Sequence, residues 1–151
     1  MPMFLSTHFS LDELVISQEA VRKQIDNTPS NAIVRNLRRL CSVLEEIRTL
    51  AGNSPLLVSS GYRCPALNLA VGGSSNSMHM QGLAVDFTSP KFGTVLQLAR
   101  KIAASDIAYD QVIYEYGRWV HVGLGLNEAV PLRQKLSINS AQAGYVNGLI
   151  S

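Results

Sequence analysis

Two short stretches of the chain hold the residue types that metal chemistry needs. The first reads Ser77-x-His79-x-x-Gly82-x-Ala84-x-Asp86, and the second Trp119-Val120-His121-Val122. The chain has three histidines, and two of them, His79 and His121, fall in these stretches. Asp86 lies inside the apolar run Leu83-Ala84-Val85-Asp86-Phe87, which reads as a strand. Strand alternation puts Ala84, Asp86 and Thr88 on one face and Val85 and Phe87 on the other. A carboxylate buried there without a partner would cost several kcal/mol, so Asp86 needs a cation. His121 points opposite to its flanking valines, and an antiparallel partner strand would bring it beside Asp86. His79 would come from the loop that delivers the Asp86 strand. Two imidazoles and one carboxylate make a three-ligand shell for Zn2+, with the fourth tetrahedral place left for water, as in catalytic sites. Each residue also has a plainer reading. A lone histidine in a β-run is usually a satisfied core or surface side chain, and an aspartate in a strand can simply pair with arginine. The joint spacing, with small residues at Gly82 and Ala84, favours the metal.

The elements that must position these residues are legible in outline. Ser10 and Glu13 form a capping-box pattern, with Phe9 and Leu14 as its hydrophobic staple, opening a short helix over residues 10–17. Thr28 reads as the cap and Pro29 as the first residue of a second helix. Along it Ile33, Val34, Leu37, Leu40, Cys41, Leu44 and Ile47 recur at helical spacing, until Gly52 and Pro55 end it. Arg35, Arg38 and Arg39 between them read as a solvated face rather than a phosphate site. Residues 56–60 read as a strand, 65–70 as a short helix, 72–78 as a loop, 83–87 as a strand and 91–105 as a helix. Val112 to Glu115 and Trp119 to Leu124 form a hairpin around Tyr116-Gly117, and residues 132–150 a further hairpin turning near Ala143-Gly144. Helices first and strands later imply a small single α+β domain over residues 1–151, with N-terminal helices packed on an antiparallel sheet.

Composition limits the function classes. The 151 residues are 46% hydrophobic and 16% charged, a globular balance. The net charge of +2 does not suggest a nucleic-acid groove. No apolar run approaches the roughly 18 residues of a membrane span. Cys41 and Cys64 cannot make a disulfide framework and read as small buried residues. The start, Met1-Pro2-Met3-Phe4-Leu5, lacks the basic flank and long apolar stretch of a signal peptide, so synthesis is expected to end in the cytoplasm.

The chain resembles the peptidase M15 family of zinc D-Ala-D-Ala carboxypeptidases and bacterial cell-wall endopeptidases, above all its small phage and prophage members. The resemblance rests on Ser59-Ser60-Gly61-Tyr62-Arg63-Cys64-Pro65-Ala66-Leu67-Asn68 and on the His79-to-Asp86 motif. It continues through Asp110-Gln111-Val112-Ile113-Tyr114-Glu115 and Gly117-Arg118-Trp119-Val120-His121-Val122. It implies the α+β DD-peptidase fold shared with hedgehog signalling domains, and one Zn2+ held by His79, Asp86 and His121. Many members carry an acidic base three residues before the last histidine, but here that place is Arg118, which cannot accept a proton. Hedgehog domains instead show Tyr-Glu six residues before the zinc histidine. Glu115 is therefore the expected general base, with Asp110 in reserve. Glu115 shares a face with His121 only if the loop is Tyr116 to Arg118, which pairs Glu115 with Trp119; a two-residue turn would pair it with Arg118 and turn it away.

The resulting expectation is a monomeric zinc peptidase cutting peptidoglycan stem or cross-link peptides. Glu115 would take a proton from the attacking water. Arg63 would hold a substrate carboxylate or the oxyanion. Ser77 and Trp119 would complete the substrate site. No nucleic acid or membrane insertion is expected. The wall would be reached after holin-type release, as by a phage endolysin, or from a virion. The alternative is a catalytically silent wall-binding or virion module of the same fold. A purely structural metal fits less well, because only three ligands are evident.

Overall fold

The computed structural model describes residues 3–126 and 130–150; Met1 and Pro2, part of the start considered above, lie outside the described residues. The first helix, α1 (Leu11–Val15), has the expected capping box, with Ser10 and Glu13 bonded reciprocally. Its staple residues Phe9 and Leu14 are buried. The chain then makes a second short helix, α2 (Gln18–Arg22), capped by Ser17 through the Ala20 N–H. The sequence reading did not foresee it, because five residues are too few for an apolar period to show.

The long helix α3 (Asn31–Leu50) starts later than expected. Ser30, not Thr28, caps it, accepting from the Ile33 N–H. Thr28 precedes a proline, which biases it away from helical geometry, and its own N–H is taken by Asp26 Oδ1. Helix α5 (Val95–Ala104) likewise begins at the Thr94–Gln97 capping box rather than near residue 91. Between these helices come β1 (Leu57–Ser60), α4 (Pro65–Ala70), a short 3-10 turn (Met78–Gln81) and β2 (Ala84–Thr88). After α5 come β3 (Gln111–Glu115), β4 (Trp119–Gly123), β5 (Gln134–Ile138) and β6 (Tyr145–Asn147).

The strands form one sheet in the order β1-β2-β4-β3-β5-β6. It is antiparallel except at one seam, where β5 lies parallel to β3. The expected last hairpin does form, β5 pairing with β6. The sequence had shown that hairpin but not the strand it would join, because pairing partners at long range leave no local pattern. One face of the sheet buries Val85, Phe87, Val112, Val120 and Val122 in a core with Leu37, Leu40, Leu44 and Ile47 of α3 and Leu98 and Ile102 of α5. Strand alternation sends Asp86, His121 and Ile113 to the other face. Those three align in one row across the sheet, since Asp86 pairs with His121 and His121 with Ile113. Cys41 is buried, and burial pushes its thiol up to about 12. No helix among the described residues is long and apolar enough to cross a membrane.

Candidate metal centre

His79, Asp86 and His121 are buried, and their donor atoms all lie within 4.8 Å of one another. Asp86 sits between the imidazoles, with Oδ1 2.8 Å from His121 Nδ1 and Oδ2 3.4 Å from His79 Nε2. A tetrahedral shell of bonds about 2.0–2.1 Å long separates its donors by about 3.3 Å, so these spacings suit one small cation. The group can hold one metal ion, and two nitrogens with one carboxylate oxygen form a donor set that zinc accepts.

His79 is aimed by its surroundings. Ser77 Oγ caps the 3-10 turn by accepting from the His79 N–H. The ring Nδ1 donates to the Gly61 carbonyl at 2.7 Å, which leaves the Nε2 lone pair facing Asp86. A side chain at Gly61 would collide with the Leu14 carbonyl. The Gly61 turn is therefore pressed onto α1, and Tyr62 N–H bonds that same carbonyl at 2.7 Å. Asn27 ties the turn down further: its side chain donates to the Tyr62 carbonyl and accepts from the Cys64 N–H at 2.8 Å. At the other end of the motif Gly82 adopts φ +69°, and a Cβ there would press on Ile33 and Leu37 of α3. Gly61 and Asn27 thus orient the site, although neither had been assigned a role. No sequence pattern shows that the Asn27 side chain reaches residues 62 and 64.

The electrostatics separate the groups. Burial opposes ionisation of Asp86, but the hydrogen bond from His121 and the two imidazoles beside it hold the carboxylate well below its usual range. Burial lowers the pKa of His79 despite Asp86 beside it. In His121 the same burial is outweighed by Asp86 and Glu115, and its pKa rises.

Glu115 pairs with Trp119 across the hairpin, the register that puts it on the His121 face. Tyr116 and Gly117, both at positive φ, make the tight turn. Glu115 Oε1 accepts from the Trp119 indole N–H at 2.7 Å, while Oε2 stands 3.9 Å from His121 Nδ1. Burial raises its pKa, which suits a proton acceptor working near neutral pH. Asp110 lies on the rim of the same cleft, but its Oδ1 is engaged by the Leu132 N–H at 3.2 Å. Arg63 reaches Ser77 Oγ through Nη2 at 3.4 Å, and its Nε is buried with no partner. Burial lowers its pKa against the opposing pull of Asp86 and Glu115. All the expected site residues therefore line one cleft of about 1010 Å3.

The chain is 38% identical over 66 residues to the zinc D-Ala-D-Ala carboxypeptidase of Streptomyces albus G. That stretch covers 42% of this chain and 26% of the relative, so the match spans about a quarter of the relative's length. The sequence profile of the family described as peptidase M15 matches residues 7–123, which take in every element from α1 to β4 and with them His79, Asp86, Glu115 and His121. By that match the chain belongs to the peptidase M15 family.

Proposed function

We propose that this chain is a zinc-dependent peptidase hydrolysing peptide bonds in bacterial peptidoglycan stem or cross-link peptides. The observation that carries the reading is a carboxylate, Glu115, that faces the buried His79–Asp86–His121 group, its Oε2 3.9 Å from His121 Nδ1. A bound Zn2+ would supply Lewis acidity, polarising a peptide carbonyl and making water nucleophilic near neutral pH.

His79, Asp86 and His121 would hold the ion, and the neighbouring Gly61 carbonyl keeps His79 in the ligating tautomer. Glu115 would accept a proton from water at Oε2 and deliver it to the leaving amine, while Trp119 holds Oε1. Arg63 would bind a substrate carboxylate or the oxyanion, its Nε–H being a donor without a partner. Ser77 would steady both the 3-10 turn and Arg63. Asp110 is the weaker candidate base, because its carboxylate already caps a backbone N–H. The cellular setting we propose rests on the likeness to small phage and prophage members: a lysis enzyme, with a virion-borne role as the alternative.

The test is mass spectrometry of defined peptidoglycan incubated with the zinc-loaded protein. We expect fragments with a new amine and a new carboxylate at one peptide bond, absent after chelation and restored by zinc. Wall binding with intact peptides would instead identify a silent binding module.

A further inference from the structure

The metal group occupies only one end of its cleft. The row that begins Asp86–His121–Ile113 continues to Leu136 on β5 and Asn147 on β6, because Ile113 pairs with Leu136 and Leu136 with Asn147. The neighbouring row on the same face runs from Trp119 to Glu115, Ile138 and Tyr145. Ile113, Leu136 and Ile138 form a small apolar cluster separate from the main core. Ile113, Leu136 and Tyr145 line the same cleft as the metal group. Tyr145 is 58% exposed, and its phenol lies near enough to Glu115 for that charge to help burial raise its pKa. A floor formed by the buried Ile113 and Leu136, with the exposed Tyr145 at its edge, thus shares the cleft with the metal group. Both strands that build it lie beyond residue 123, where the family match stops.

We infer that β5 and β6 carry a substrate subsite for the peptide chain on the acyl side of the scissile bond, with Tyr145 as a specificity-determining residue. The inference rests on the peptidase reading above. The side follows from Arg63, which comes just after the edge strand β1 and reaches Ser77, whereas β5 and β6 lie at the other end of the strand order. If Arg63 holds the leaving side, the acyl side runs over the other strands. Length follows from geometry. From β4 to β6 are three strand intervals, about 14 Å, and an extended peptide advances about 3.4 Å per residue, so Tyr145 meets the substrate about four residues from the cut. A cleft of about 1010 Å3 has room for this, standing at the top of the roughly 300–1,000 Å3 that holds a drug-sized ligand. The occupant is a peptide with small aliphatic side chains, since the floor is isoleucine and leucine.

The experiment compares synthetic stem peptides lengthened one residue at a time on the acyl side, using the full zinc-loaded chain. We expect kcat/KM to rise roughly tenfold or more between two and four acyl-side residues and then level, as remote binding energy is drawn into the transition state. Tyr145→Ala removes an exposed ring from a short edge strand and should keep the fold. It should cost roughly tenfold more on the four-residue substrate than on the two-residue one. Length-independent kcat/KM, a gain that survives Tyr145→Ala, or a gain confined to the amine side would overturn the subsite. Amide NMR shifts of zinc-loaded Glu115→Gln on titration with muramidase-released muropeptides separate the two claims. Shifts in residues 134–138 and 145–147 with no hydrolysis by wild type would overturn the peptidase reading and leave β5 and β6 as a peptide-binding surface only. No shifts there would overturn the subsite even if hydrolysis is observed.

Discussion

Two histidine–carboxylate contacts among the described residues are nearly equal in length but have very different surroundings. His8 Nδ1 lies 2.7 Å from Glu45 Oε1, with side chains 43% and 24% exposed. His121 Nδ1 lies 2.8 Å from Asp86 Oδ1, with side chains 11% and 9% exposed. At the first, Glu45 also takes the Ser6 hydroxyl and the His8 N–H, so its oxygens tie the N-terminal segment to α3. At the second, a third donor, His79, faces the same carboxylate, and a second acid, Glu115, stands beside the histidine. Pair distance alone therefore identifies nothing. Burial together with convergence makes the second cluster a place where a cation lowers the free energy, while the first is an exposed ion pair of the kind worth at most about 1 kcal/mol.

The largest effect should come from breaking the buried cluster. His121→Ala should take bound zinc from one per chain to near zero and abolish hydrolysis, whereas His8→Ala should leave both unchanged. Metal analysis after gel filtration checks this, and full zinc retention by His121→Ala would erase the contrast between the two regions. Glu115→Gln comes next. It keeps the shape and the zinc but removes the proton acceptor, so turnover should fall by roughly 10²–10⁴. Asp110→Asn should retain activity; if it alone is dead, the base has been assigned to the wrong acid. Arg63→Lys should keep melting temperature and zinc yet slow turnover roughly ten- to a hundredfold, somewhat less than deleting an oxyanion donor outright. A joint fall in melting temperature and zinc would make Arg63 structural.

The smallest effect belongs to the exposed pair. Burial opposes ionisation of Glu45, but its bonds to Ser6 and His8 hold the folded pKa below the ordinary carboxyl value. Its contribution is therefore present above the unfolded value of about 4.3 and is lost as pH falls through the lower folded value. Denaturation of Glu45→Gln against wild type should show a gap of about 1 kcal/mol or less at neutral pH that closes in acid. A gap that widens in acid would reverse the sign of that account.

How much of this was legible in the sequence depends on how local each cause is. Asp86 and His121 could be placed side by side because strand alternation and a hairpin signal act over a few residues. The Glu115–Trp119 register followed from counting the turn. The α1 cap was visible as Ser10 and Glu13. The late starts of α3 and α5 were not, because Ser30 competed with Thr28, and Thr94 with the preceding loop, for the cap. The parallel β5 seam and the help that Gly61 and Asn27 give His79 depend on residues 18 or more positions apart, and nothing local encodes those pairings. The residues and the resemblance together supplied the expected ligand roles; the structure supplied the neighbours that hold these side chains in place.

X-ray absorption at the zinc edge on the 151-residue chain, loaded to saturation and freed of excess metal, tests the central claim most directly. The account predicts one zinc per chain in a shell of light atoms at about 2.0–2.2 Å, with the outer-shell signature of two imidazoles. A sulfur shell near about 2.3 Å, which would point to Cys41 or Cys64, or a stoichiometry far below one, would contradict it.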